Sequence, residues 1–336
     1  MKISTIKDIA RETGLSLATI SSYLNGGNVR PKNRKLIEEA ICKLDYQVNE
    51  IARSLKTDRT NTIGVIIPEL DDAYFSKVVA LIGTLLNRRG YGMLVVDFGL
   101  DEKREVEAVD FLCSKRVDGI IDMPSNKTGE HLERAIKHKV PVVLFDRDVN
   151  NQPFHTIKTD NHEAIIIALK HLRDFGHKKI GFMSGDQQIV TAREREEGYL
   201  LGCEMYGLKH TKHYISRSDY VTPESAALSF KEIVTNCPDI TAVIASNMVS
   251  MIGALHSANE LGLVIPEDIS FVGFDDSRFA KAYHPQLTIV LQPVEEMAEE
   301  IVKLMLKQIT EQKFENEGVT IFKPYLQYGQ SVLQIN

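Results

Sequence analysis

Two rhythms of apolar residues divide the chain. Over the first forty-odd residues apolar positions recur at helical spacing. Ile6, Ile9 and Ala10 share one face, and after a Gly14-Leu15-Ser16 turn Thr19, Ile20 and Leu24 point inward. Leu36, Ile37, Ala40, Ile41 and Leu44 then form the stripe of a third helix, from about Pro31 to Leu44, with Pro31 suited to its first turn. Thr5 with Asp8 reads as the start of the first helix, Gly14 as its left-handed end and Ser16 as the cap of the second. Leu17, Ala18, Ser21 and Ser22 are left facing outward. A short, capped helix with such a face suits a probe for the major groove of DNA. A helical hairpin that merely packs is the alternative.

From Thr62 short apolar runs alternate with amphipathic stretches. Strands are expected at Thr62–Pro68, Gly92–Phe98, Gly119–Met123 and Pro141–Asp146, then near Lys179–Gly185, Tyr214–Arg217, Ala242–Ser246 and Ile269–Asp275. Helical stretches separate them, so two helix-covered parallel sheets follow one another. The chain should cross between these lobes near Ile157–Asp160 and Leu291–Pro293. The expected organisation is a three-helix head at 1–46, a linker at 47–60 and a two-lobed α/β unit at 61–336. Polar residues break the apolar runs where strands end: Asp122, Asp146, Asn247 and Asp275, joined by Arg195 at a helix start and Gln292 in the second crossing. All would face one cleft, where carboxylates, amides and an arginine can pair with the hydroxyls of a small ligand.

Charge adds a function to this layout. Residues 1–60 hold six Lys and five Arg against three Asp and four Glu, leaving +4, while the remainder carries −10. A basic head on an acidic body fits a DNA reader on a regulatory unit. The cysteines Cys42, Cys113, Cys203 and Cys237 form no CxxC pair, and no apolar run approaches membrane-spanning length, so a reduced, cytoplasmic protein is expected. Catalytic signatures are missing: His162-Glu163 does not extend to HExxH, and neither GxxxxGK nor GxSxG occurs. Asp275-Asp276 has no accompanying ligand cluster in the sequence, so neither metal nor cofactor is expected. A sugar-processing enzyme or an exported solute-binding protein would be the competing classes.

TIKDIARETGLSLATISSYLNGG, YQVNEIARSLKTDRTNTIGVIIPE, GHKKIGFMSG, AREREEGY, LGLVIPEDISFVGFDD and LTIVLQP, in this order over nearly the whole chain, resemble the LacI/GalR family of bacterial transcriptional repressors. That resemblance implies a helix-turn-helix domain, a hinge helix and a periplasmic-binding-protein-like effector domain. It implies DNA contacts by Thr5, Ser16, Leu17, Ala18, Thr19, Ser21, Ser22 and Asn25. In the hinge it implies Asn49, Ala52, Arg53 and Leu55, the leucine wedging into the minor groove of a pseudopalindromic operator. A homodimer follows, without the leucine-heptad tail that builds tetramers in some relatives.

The effector implied is a sugar or sugar phosphate, with a nucleobase, a nucleoside or a protein corepressor as alternatives. Asp146, Arg195, Asn247, Asp275 and Gln292 match family effector positions, and Tyr74 and Tyr220 stand where the family often places rings. There are departures. Asn247-Met248 replaces a frequent Asn-Asp pair, Asp72-Ala73 replaces Asn-Pro, Arg30 stands where a hydroxyl cap is common, and Ser22 stands where arginine is usual. Serine specifies a base poorly, so a half-site without a strict guanine opposite Ser22 is expected.

Overall fold

The computed structural model describes residues 4–24, 26–46, 59–125, 128–150, 153–313 and 318–335. The chain divides into two compact units, Met1–Thr60 and Asn61–Asn336. In the first, helices Ile6–Thr13, Leu17–Leu24 and Pro31–Lys43 close on Ile9, Ile20, Ile37 and Ala40. The Thr5 N–H donates to Asp8 Oδ2 at 2.9 Å, Gly14 adopts φ 67°, and the Thr19 N–H donates to Ser16 Oγ at 3.2 Å. Each turn signal in the sequence thus has a bond or backbone conformation behind it. Leu36 is a correction: it is 36% exposed, because positions 37, 40, 41 and 44 already fill the face turned to the core.

The second unit contains two six-stranded sheets. The first lobe uses β1 (Thr62–Ile67), β2 (Gly92–Asp97), β3 (Gly119–Asp122), β4 (Val142–Phe145), β5 (His155–Thr159) and β11 (Gly318–Phe322), in the order β11-β5-β4-β3-β1-β2, all parallel. Helices Ala73–Asn87 and Val294–Glu311 cover one face, burying Val65, Ile121, Val143 and Phe145 with Met297, Ile301 and Met305. Ile66, Ile120, Val142 and Leu144 pack on the opposite face with Val109 and Leu112 of helix Glu102–Ser114. Apolar residues on both faces explain why these strands read as continuous apolar runs.

The second lobe uses β6 (Ile180–Ser184), β7 (Ile215–Arg217), β8 (Ala242–Ala245), β9 (Ser270–Phe274), β10 (Thr288–Leu291) and β12 (Tyr325–Gln327). Their order is β12-β10-β9-β8-β6-β7, with only β12 antiparallel among the described strands.

The crossings differ from the sequence reading in two respects. Most of Ile157–Asp160 is strand: β5 runs to Thr159 and pairs with both β4 and β11, so the passage to the second lobe comes directly after it. A third passage, between Phe322 of β11 and Tyr325 of β12, returns the chain to the second lobe. No helix among the described residues is long and apolar enough to cross a membrane.

Candidate functional site

Seven of the eight residues expected at the cleft line one pocket between the lobes: Tyr74, Asp146, Arg195, Tyr220, Asn247, Asp275 and Gln292. The empty space between these side chains is about 620 Å³, counting space open to solvent. Asp146 and Asp275 hold equivalent places, one residue beyond β4 and β9, and both adopt left-handed backbone, φ 67° and 71°. That turn takes each carboxylate out of strand register and into the cleft.

Arg195 anchors the second lobe's side of the pocket. Its Nε donates to Asn161 Oδ1 at 2.8 Å, and its Nη1 donates to the Ser246 carbonyl at 2.6 Å and to the Tyr220 hydroxyl at 3.1 Å. The guanidinium lies over the Phe274 ring, 4.2 Å from its centroid. The Tyr220 hydroxyl also donates to the Ser246 carbonyl at 2.8 Å. Gly185 makes room for this arrangement, since any side chain there would collide with the Tyr220 ring.

Across the cleft, the Tyr74 hydroxyl donates to Gln292 Oε1 at 3.2 Å, and Gln292 Nε2 donates to Asp275 Oδ1 at 2.8 Å. This relay links the lobes through a residue of the second crossing. Asn247 has a second task besides lining the pocket. Its Oδ1 caps helix Met248–Glu260 by accepting from the Ser250 N–H at 2.7 Å, and its Nδ2 holds the Tyr220 carbonyl at 3.0 Å.

Carboxylates crowd the pocket. Burial pushes the Asp275 carboxyl up to about 7 from 3.8; Arg195 and Gln292 oppose the rise, and the charges of Asp72 and Asp146 add to it. Asp72 is also raised, first by burial, although the N–H groups of Phe75 and Tyr74 hold its charge. Tyr74 lies well above the ordinary phenol value through burial and then through Asp146 and Asp275. Burial pulls Arg195 down, but Tyr220, Asp275 and Asp146 outweigh it and keep the guanidinium charged. Asp275 near neutrality can therefore both donate and accept, whereas Arg195 only donates.

Asp122 is a correction. It ends β3 still in strand register, on the parity of Ile120, and so faces helix Glu102–Ser114 instead of the cleft. It is fully buried, with Oδ2 2.9 Å from His131 Nε2. Other lining residues are not selected by the sequence reading, among them Glu69, Asp72, Phe75, Leu100 and Arg147. Asp72 stands in the sequence as a departure from Asn-Pro, yet an acid before a helix is also a cap signal, here fulfilled by bonds from the N–H groups of Tyr74 and Phe75. Arg147 directly follows Asp146 and donates to the Pro124 carbonyl at 3.3 Å.

In the first unit Thr5, Ser16, Leu17 and Ala18 are exposed, whereas Thr19, Ser21 and Ser22 are half-buried. The Ser22 hydroxyl lies against Gly27, whose N–H donates to the Ser22 carbonyl at 2.8 Å. Asn25, Asn49, Ala52, Arg53 and Leu55 lie outside the described residues.

A helical head and a separate two-lobed α/β unit with a polar cleft define a ligand-responsive DNA-binding regulator. The family model "Bacterial regulatory proteins, lacI family" matches residues 5–49, and "Periplasmic binding protein-like domain" matches residues 169–332. Catabolite control protein A of Priestia megaterium is 31% identical over 319 residues, covering 94% of this chain and 96% of that protein. The HTH-type transcriptional repressor PurR of Pasteurella multocida is 30% identical over 332 residues, covering 98% and 99%. Among solved structures, a transcriptional regulator CelR–cellobiose complex is 26% identical, with TM-score 0.73 and coverage of 98% of this chain and 99% of that one. A lac repressor dimer bound to operator and the anti-inducer ONPF shares the fold, with 24% identity, TM-score 0.85 and coverage of 99% and 100%. The chain belongs to the LacI family of bacterial regulatory proteins: it is a DNA-binding transcriptional repressor, and its relatives are regulators, not enzymes.

Proposed function

We propose that this repressor works as a cytoplasmic homodimer on a pseudopalindromic operator and is switched by a neutral, polyhydroxylated ligand, a sugar, in the cleft. Residues 1–46 read the DNA, 47–60 form the hinge and 61–336 bind the effector and dimerise. The observation that carries the ligand class is the charge balance of the pocket. Glu69, Asp72, Asp146 and Asp275 line it against two cations, Arg147 and Arg195. Arg195 is engaged by Ser246, Tyr220 and Asn161, while Arg147 donates to the Pro124 carbonyl and lies 3.6 Å from the Asp146 carboxylate, its Nε making no hydrogen bond. Hydroxyl groups suit such a set of acceptors, whereas a phosphate would meet four carboxyl groups around two guanidinium groups, one of them already saturated by the protein. That favours the free sugar over the sugar phosphate, and cellobiose in the similar CelR complex is an uncharged sugar.

The relay Tyr74–Gln292–Asp275 supplies the coupling. A ligand that competes for Asp275 or Gln292 changes a bond spanning the lobes, and so has different affinities for their arrangements. Calorimetry with matched pairs of free and phosphorylated sugars tests the class. Binding confined to phosphosugars, nucleobases or nucleosides would refute it.

A further inference from the structure

We propose that Glu105, Asp122 and His131 form a binding site for a divalent transition-metal cation, with Zn²⁺ the cation best matched to the donor set. The site lies in the first lobe, on the face of β3 that packs under helix Glu102–Ser114. All three side chains are buried, at 1%, 0% and 5% exposure, and one donor atom from each falls within 4.8 Å of the others. Their sequence separation matches no ligand motif, so only the fold brings them together.

His131 Nε2 lies 2.9 Å from Asp122 Oδ2 and 3.5 Å from Glu105 Oε1. With bonds near 2.1 Å, the edge between two ligands of a tetrahedral N/O site is about 3.4 Å. The observed separations bracket that edge. Asp122 Oδ1 is a second, independent sign: it is fully buried and has no hydrogen-bond partner. A buried carboxylate oxygen without a partner is costly and calls for an ion or a proton. Glu105 is held for the task by Ser125, whose N–H donates to Oε1 at 2.7 Å and whose hydroxyl donates to Oε2.

Charge fits a divalent cation. A ligating imidazole is neutral, so with two carboxylates the donor set carries −2, which one divalent ion neutralises at a single point. One imidazole and two carboxylate oxygens suit zinc, leaving a fourth position open. The segment such an ion would fix leads from Asp122 to the Pro124 carbonyl that receives Arg147. The cation would thereby steady a lining residue of the effector cleft.

The test uses the full chain, stripped with a chelator and titrated with Zn²⁺ against a chromophoric competitor. One equivalent per chain is expected, weakened at least about 100-fold in both His131→Ala and Asp122→Asn and unchanged in His138→Ala, an exposed histidine nearby. Substituted Co²⁺ should show the visible absorption of a four-coordinate site without thiolate bands. Circular dichroism and thermal unfolding check that each variant is folded, and Asp122→Asn keeps the side chain's shape. Absence of a bound equivalent overturns the proposal. So does binding that survives Asp122→Asn and His131→Ala, because the ion would then sit elsewhere.

Discussion

Replacing Asp275 by asparagine should stabilise the ligand-free protein and weaken ligand binding, two effects of opposite sign from one atom. Asn is the cleanest substitution available. It keeps an oxygen to accept from Gln292 Nε2 at 2.8 Å and tolerates the φ of 71° that aims the side chain into the cleft. The stability term follows from the carboxyl, whose pKa rises from 3.8 to about 7 on folding. Three units correspond to about 4 kcal/mol. Asp275 is only half-buried, and cleft water screens it, so about 2 kcal/mol is the realistic effect.

The sign is fixed by proton count. Between pH 4 and 7 the folded state binds more protons at this group than the unfolded chain, so the contribution of Asp275 to stability falls as pH rises through that window. Below it wild type and Asp275→Asn should coincide. Above it the variant should lead, by roughly 4 °C in melting temperature. Binding moves the other way: exchanging a charged acceptor for a neutral one costs about 1.5–3 kcal/mol, roughly 10- to 100-fold in Kd. Thermal unfolding of both proteins at pH 5 and pH 8, with and without sugar, reads all of this. A variant no more stable than wild type at pH 8, or equally displaced at both pH values, would refute the desolvated-acid reading of the cleft.

Four further outcomes are expected. Arg195→Ala should abolish effector binding and cost about 3–5 kcal/mol in denaturant unfolding, since it takes a donor from the Ser246 carbonyl and from Asn161 Oδ1 and removes the cation facing Asp275 and Asp146; an undisturbed titration would refute its place in the cleft. Asn247→Ala should cost about 1 kcal/mol through the lost cap of helix Met248–Glu260 and also weaken binding through Tyr220. Operator binding, followed by fluorescence anisotropy, should fall ~10³-fold between 50 and 200 mM salt if the two basic heads of the proposed homodimer neutralise about six phosphates together. Selection of bound sites from random DNA should return half-sites without an invariant guanine opposite Ser22, whose hydroxyl is turned toward Gly27; a guanine lost in Ser22→Ala would refute that.

How much of the cleft was legible comes down to two aspartates that look alike in the sequence. Asp122 closes GIID and Asp146 closes VVLFD. Both follow apolar strands at the cleft end of one sheet, and a strand-end acid is a fair candidate in each case. The periodicity of two gives the faces: Ile121 and Val143 pack under the helices Ala73–Asn87 and Val294–Glu311, while Ile120 and Leu144 pack under helix Glu102–Ser114. By parity alone Asp122 and Asp146 would share that second face. Asp122 remains paired in the sheet opposite Ile66 and Leu144, so it obeys parity and meets Glu105 and His131. Asp146 lies one residue beyond its strand, and its left-handed φ of 67° overrides parity. That conformation is open to aspartate but not dictated by it, and no local sequence signal separates the two. The same turn recurs at Asp275 in the other lobe. The apolar rhythm therefore places strands, helices and lobes, because burial area is additive along the chain. The cleft depends on single backbone turns where strands end, and those are decided by tertiary pairing: Asp146 and Asp275 each donate their N–H to a neighbouring strand's carbonyl, at Ile157 and Val290.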